Sequence, residues 1–192
     1  MSTLVMVEKD GVACMAAETL TSFGDRKQYA KYTVRPEKIL RVGEAFLGTV
    51  GLVVTRGVLE SVFAAGLPLP EIQSEIELFE YARKLHAKLK DEYFMNTGDA
   101  SDDAYESTQM TLFLMNRFGL FGLYANRTVE QYRRFTAVGS GAEYALGAMY
   151  GAYELDAEPE DIARIGVEAG AEFDQASHGP ITIKKIKLDR QE

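Results

Sequence analysis

Cysteine is almost absent from the chain, with only Cys14 in 192 residues. A single thiol excludes a disulfide framework and any zinc site built on paired cysteines. Histidine is nearly as scarce. His86 and His178 are the only two, and neither has a second histidine or a cysteine at ligand spacing, so no metal role is expected for them. There is no tryptophan, and the five prolines form no Pro- or Ser-rich tract that would mark a linker. Positive charge is in deficit: 21 Lys+Arg stand against 29 Asp+Glu, a formal net charge of −8. That balance argues against a nucleic-acid partner, which requires clustered cations to displace counterions from phosphates. No apolar run reaches the ~18 residues of a membrane span, and Met1-Ser2-Thr3 shows no basic segment ahead of an apolar one. The expectation is a cytoplasmic protein of one domain, residues 1–192, with no membrane or cofactor requirement.

What is present is a change of hydrophobic period along the chain. Thr3–Val7 and Val12–Glu18 are β-prone runs separated by Glu8-Lys9-Asp10-Gly11, whose Asp-Gly is a hairpin signal. Residues 19–35 are polar and read as a loop or irregular strands. Ile39–Val42 and Ala45–Leu47 suggest a second hairpin around Gly43-Glu44. Leu52–Ala65 reads as an apolar helix ended by Gly66. Ile72, Ile76, Phe79, Ala82, Leu85 and Leu89 recur at three- and four-residue spacings, predicting a long amphipathic helix. Residues 91–106 are expected to form an acidic loop with Asp91, Glu92, Asp99, Asp102, Asp103 and Glu106 and no basic partner. Strands return at Met110–Met115, Gly119–Tyr124 and Tyr132–Val138. Helices follow at about 142–154 and 160–173, the first rich in small residues and the second opening after Pro159. Ile181–Leu188 makes a last strand. The order predicts an α+β protein with two antiparallel sheets and helix pairs outside them.

The candidate chemistry starts at the N-terminus. Met1 precedes the small Ser2, a context in which the initiator methionine is commonly trimmed. A serine with its own free α-amine is a compact nucleophile–base pair, because an amine with intrinsic pKa near ~8 is partly neutral at cytosolic pH. Taken alone, a Met-Ser-Thr start is compatible with no chemistry at all.

Further segments carry a resemblance. Ser2-Thr3-Leu4-Val5, Gly11-Val12 and Ala16-Ala17-Glu18-Thr19 resemble the opening of proteasome β-type subunits and of the HslV peptidases. Lys38-Ile39 followed by Gly48-Thr49-Val50-Gly51 is similar to the family's lysine and the glycine-containing strand after it. Val138-Gly139-Ser140-Gly141 is similar to its Gly-Ser-Gly segment, and Asp174-Gln175-Ala176-Ser177-His178-Gly179 to its late Asp-x-x-Ser-Gly element with one residue inserted. The resemblance implies a four-layer αββα sandwich of the N-terminal-nucleophile hydrolase type. It also implies an endopeptidase that assembles into a homo-oligomeric double ring of six or seven subunits per ring. Unfolded polypeptide would be its substrate and an ATPase unfoldase a possible partner.

The resemblance further assigns roles. Ser2 stands at the nucleophile, Glu18 at the carboxylate that orients the lysine, and Lys38 at the lysine that lowers the nucleophile's proton affinity. Ser140, Asp174 and Ser177 match the polar groups that support the terminal amine and hydroxyl. Ser22 and Gly51 match positions whose backbone pairs with an extended substrate, and the Gly51 N–H would serve as oxyanion donor. The chain departs from the pattern in three ways: serine replaces threonine, glutamate replaces aspartate, and the 19–37 segment is longer. The longer segment leaves Lys31 and Lys27 as competitors of Lys38. The residues also admit a purely structural Glu18–Lys38 ion pair, a helix-capping Ser140 and a packed, unreactive Cys14. Two other functions fit the same segments: a non-catalytic ring protein, and an N-terminal-nucleophile amidase acting on small amides.

Overall fold

The computed structural model describes residues 2–97 and 104–189. Its first elements are β1 (Leu4–Lys9), β2 (Val12–Glu18), β3 (Thr21–Phe23), β4 (Arg26–Gln28), β5 (Ile39–Val42) and β6 (Ala45–Val50). Helices α1 (Val54–Ala64) and α2 (Glu75–Glu92) follow, then β7 (Thr111–Asn116), β8 (Gly119–Leu123), β9 (Val129–Tyr132) and β10 (Phe135–Val138). Helices α3 (Ala142–Tyr153) and α4 (Pro159–Phe173) precede the last strand, β11 (Ile181–Lys187).

Asp10 and Gly11 both take positive φ, 54° and 76°. Two successive residues in that region match the twist of the strands they join, and the β1–β2 pairing runs cleanly from Lys9↔Val12 to Leu4↔Ala17. One antiparallel sheet has the order β10-β1-β2-β11 and the other β5-β6-β7-β8-β9. Three apolar clusters separate the layers. Val5, Val7, Cys14 and Ala16 pack on Met149, Ile162 and Val167 of α3 and α4. The alternate residues Leu4, Met6, Ala13 and Met15 face Phe113, Met115 and Leu120 of the second sheet. The far side of that sheet, with Leu112, Leu114, Phe121 and Leu123, meets Leu59, Val62, Leu78 and Leu85 of α1 and α2. The period-2 alternation of β1 and β2 thus serves two cores at once. The architecture is the expected four-layer αββα sandwich.

Some elements differ from the sequence reading. The long helix starts at Glu75, not before Ile72, because Ser74 caps it by accepting a hydrogen bond from the Glu77 N–H at 3.4 Å. Its buried stripe is Leu78, Tyr81, Ala82, Leu85 and Leu89, whereas Ile76 is 65% exposed and Phe79 39%. Ala82, Leu85 and Leu89 keep the expected stripe, whereas its first turn is carried by Leu78 and Tyr81, and Ile72 is buried from outside the helix. The single strand expected at Tyr132–Val138 is two strands in different sheets, broken at Arg134, where φ is 71°. Residues 21–28 form the small β3–β4 hairpin turning at Gly24, with φ 60°. In the acidic segment Glu92 pairs with Lys88, and Glu106 with Lys90 and His86; Asp99, Asp102 and Asp103 lie outside the described residues.

Leu85→Ala should destabilise the protein by about 2–5 kcal/mol through an unfilled cavity under α2. Ile76→Ser should change stability by less than about 0.5 kcal/mol. Chemical denaturation of both variants checks the assignment of the buried stripe.

Candidate active site

The antiparallel pairings bring several chain segments to one end of the sandwich. Ser2 and Thr3 lead into β1, and Glu18 closes β2 beside them, its N–H donating to the Thr3 carbonyl at 3.3 Å. β10 ends at Val138 opposite Leu4, so Gly139-Ser140-Gly141 emerges next to Ser2. β11 begins at Ile181 opposite Glu18, which draws the preceding loop from Asp174 to Pro180 to the same end. The second sheet contributes Lys38, just before β5, and Gly51, just after β6; the Thr49 N–H donates to the Lys38 carbonyl at 3.1 Å.

Lys38 Nζ donates to Ser2 Oγ at 2.9 Å and to Glu18 Oε1. Glu18 is fully buried, and a buried carboxylate must be saturated with donors to stay charged. Besides Lys38, its Oε1 accepts from the Thr3 N–H at 3.4 Å. Its Oε2 accepts from the Leu20 N–H at 2.6 Å and the His178 N–H at 3.4 Å. The extra methylene of glutamate is therefore accommodated, with the carboxylate clamped between strand ends. Burial pushes the Lys38 ammonium below the usual lysine range, while the charges of Glu18 and Asp174 oppose that shift. Lys31 and Lys27, its sequence competitors, are exposed, and the Lys31 ammonium lies over the Tyr32 ring at 4.9 Å from its centroid.

A second polar cluster lies on the nitrogen side of Ser2. The Ser2 N–H donates to Ser140 Oγ at 3.2 Å. Ser140 and Ser177 each donate to Asp174 Oδ2 at 2.7 Å, and the Ala176 N–H donates to Oδ1 at 3.3 Å. Burial alone would raise the Asp174 carboxyl; the hydrogen bonds from Ser177, Ser140 and Ala176 outweigh it and hold the group below its ordinary value of 3.8. Ser140 does not cap α3, correcting that alternative: the cap position is Gly141 and no side chain fills it. The flanking glycines have a steric reason. Gly139 has φ 103°, and a Cβ there would overlap the Ser2 carbonyl. That same carbonyl accepts from the Gly141 N–H at 3.2 Å.

Ser2, Lys38, Ser22 and Gly51 line one cleft with Leu20, Val50, Leu52 and Val53. Gly51 has φ 98° with open space where a Cβ would stand, so its backbone conformation rather than crowding calls for glycine. Cys14 lies buried in β2 under α3 and α4, and burial pushes its thiol up to about 11. His86 is engaged elsewhere, with Glu106 and Arg127. The Leu20 and His178 backbone donors and the buried Thr3 hydroxyl, which meets Ser177 Oγ at 2.8 Å, were not found by sequence reasoning. Backbone donors leave no side-chain signature, and Thr3 is hidden by its neighbour Ser2. The arrangement presents a hydroxyl with a cation on one side and its own nitrogen on the other, beside an open cleft.

The lowered Asp174 carboxyl stabilises the fold above pH 3.8, and that contribution is lost as pH falls through the still lower folded value. Asp174→Asn should therefore lower the melting temperature near neutrality, with the difference from the parent shrinking as pH approaches about 3. A thermal melt series across pH measures it.

No protein-family model matches the chain, and no curated protein matches it. Solved structures do. The BPH of Thiobacillus denitrificans in complex with epoxomicin is 36% identical, with a TM-score of 0.91, covering 98% of this chain and 100% of that one. A second structure of the same BPH is 37% identical at TM-score 0.91, covering 97% and 98%. The eukaryotic HslV of Trypanosoma brucei shares the fold at TM-score 0.69 and 16% identity, covering 96% and 99%. With more than a third of its residues identical along nearly its whole length, and with the proteasome-like sandwich in common, the chain belongs to the BPH family of bacterial proteasome homologues.

Proposed function

We propose that this protein is a peptidase whose nucleophile is the Ser2 hydroxyl, exposed for catalysis when Met1 is removed. The observation that carries this reading is the position of Ser2. Its Oγ is 2.9 Å from Lys38 Nζ and its nitrogen 3.2 Å from Ser140 Oγ, at the edge of the cleft that holds Ser22 and Gly51. The free amine takes the hydroxyl proton while Oγ bonds to the substrate carbonyl carbon. The Lys38 charge favours the alkoxide and lowers the amine's proton affinity. The tetrahedral oxyanion is met by the Gly51 N–H. Collapse breaks the C–N bond, and the ammonium passes its proton to the leaving amine. Water then attacks the resulting ester by the same route in reverse, releasing the acid and restoring the Ser2 hydroxyl.

Substrate enters as an extended chain pairing with the backbone at Ser22 and Gly51. The protein works as a cytoplasmic homo-oligomeric double ring with its clefts facing inward. Exposed Tyr144, Tyr150, Leu155 and Phe173 on and beside α3 and α4, with open space over Gly147 and Gly151, support self-association through those helices. The related BPH was solved with epoxomicin, which supports a nucleophile that reacts with peptide epoxyketones here as well.

Ser2→Ala should abolish peptide hydrolysis while the oligomer survives, and Ser2→Thr should retain it. Lys38→Ala should lower turnover on the order of 10²-fold, and Lys31→Ala should have little effect. Intact-mass analysis after incubation with a peptide epoxyketone should find Met1 removed and one adduct, on Ser2. Retained Met1 with no adduct would favour a non-catalytic ring protein. Full activity in Ser2→Ala would end the proposed mechanism.

A further inference from the structure

Thr3, like Ser2, touches both of the polar clusters that flank Ser2. Its backbone N–H donates to Glu18 Oε1, the oxygen that also takes the Lys38 ammonium. Its hydroxyl meets Ser177 Oγ at 2.8 Å, on the Asp174 side. The side chain is completely buried, and a Cβ built on either Gly141 or Gly170 would overlap it. The two glycines thus form a niche shaped to this side chain.

The direction of every hydrogen bond in the second cluster then follows from proton counting. Asp174 is an ionised acceptor, and Ser140 and Ser177 each have one hydroxyl proton. Both serine oxygens lie 2.7 Å from the same Asp174 Oδ2, so both protons point there. With its proton committed, Ser177 Oγ only accepts from Thr3, and Ser140 Oγ only accepts from the Ser2 nitrogen. The Ser2 nitrogen is thereby held as a donor toward Ser140, and its lone pair is left for its own hydroxyl. A hydroxyl that accepts a hydrogen bond becomes a better donor, so Thr3 strengthens the Ser177 bond to Asp174 Oδ2 and fixes the carboxylate that Ser140 also meets.

We propose that Thr3 is a positioning residue of this centre, its hydroxyl donating to Ser177 Oγ and so holding Ser177 and Asp174 in the arrangement that keeps the Ser2 amine's lone pair available as base. The inference rests on the Ser2 reading above. Thr3 touches no reacting atom; it acts through Ser177 and Asp174.

The test compares Thr3→Val, which keeps the shape and loses the donor, with Thr3→Ser, which keeps the donor. Each is prepared as the assembled protein, and Met1 removal is verified by intact mass. Thr3→Val should lose about tenfold in kcat, the effect of one buried hydrogen bond, with KM within about twofold. The acid limb of its pH–rate profile should be displaced, and its epoxyketone adduct should form more slowly. Thr3→Ser should restore kcat to within about threefold and return the parental pH profile. In a Ser177→Ala background, Thr3→Val should add little further loss, because its acceptor is already gone. If Thr3→Val does not assemble, Thr3→Ala supplies a donorless variant that the niche cannot crowd. Parental kcat and pH profile in a donorless variant would overturn the proposal. So would Thr3→Ser being as impaired as Thr3→Val, which would assign the effect to packing of the methyl. Loss of the Ser2 reading is seen separately, as activity surviving in Ser2→Ala.

Discussion

A carboxylate held in a dry place governs this end of the molecule. Glu18 has no contact with solvent, and removing an ionised carboxylate from water costs several kcal/mol unless its lone pairs are filled. The fold fills them with one ammonium and three backbone N–H groups, taken from the start of β1, the turn after β2 and the loop before β11. Each donor comes from a different segment, so satisfying one side chain fixes the relative positions of all of them. Deleting Lys38 would leave the charge buried with backbone partners alone, and deleting Glu18 would leave Lys38 with its burial penalty and little to offset it. The ion pair is therefore a structural tie that also sets the Lys38 ammonium against Ser2 Oγ.

The sheets explain why such a tie is possible. Antiparallel neighbours alternate beginnings and ends, so one end of the sandwich gathers the start of β1, the end of β2, the end of β10 and the start of β11. The second sheet adds the start of β5 and the end of β6. Rigid strands do the positioning, and the strand ends with their connecting segments present the groups, the usual division of labour between scaffold and site.

The β1–β2 hairpin was legible because Asp10-Gly11 can do little other than turn, and the sandwich because the hydrophobic period changes from strand-like to helical and back. The helix α2 was legible in its buried stripe from Ala82 onward but not in its first turns. Ile76 and Phe79 are as apolar as Leu78 and Tyr81, and only the cap at Ser74 and the facing sheet decide which pair is buried. The break at Arg134 was not legible, since a positive φ at arginine has no composition signal. In the candidate site, side chains with a motif around them (Ser2, Lys38, Ser140, Asp174, Ser177) could be named in advance. Thr3 could not be singled out, because its role depends on two glycines, Gly141 and Gly170, that meet it only after folding.

The central placement of β1 has a consequence for the order in which the protein matures. Ser2 and Thr3 are synthesised well before the residues they meet. Ser2 meets Ser140 across 138 positions of sequence, and Thr3 meets Ser177 across 174. Contacts of such separation form late, because the loop they close must be ordered before they repay its entropy. While the chain is growing, β1 and β2 can make their local hairpin but have neither β10 nor β11 beside them, and Glu18 lacks its His178 donor. The centre is thus completed only when β11 joins β2, and a chain truncated before β10 carries Ser2 without Ser140, Asp174 or Ser177 around it.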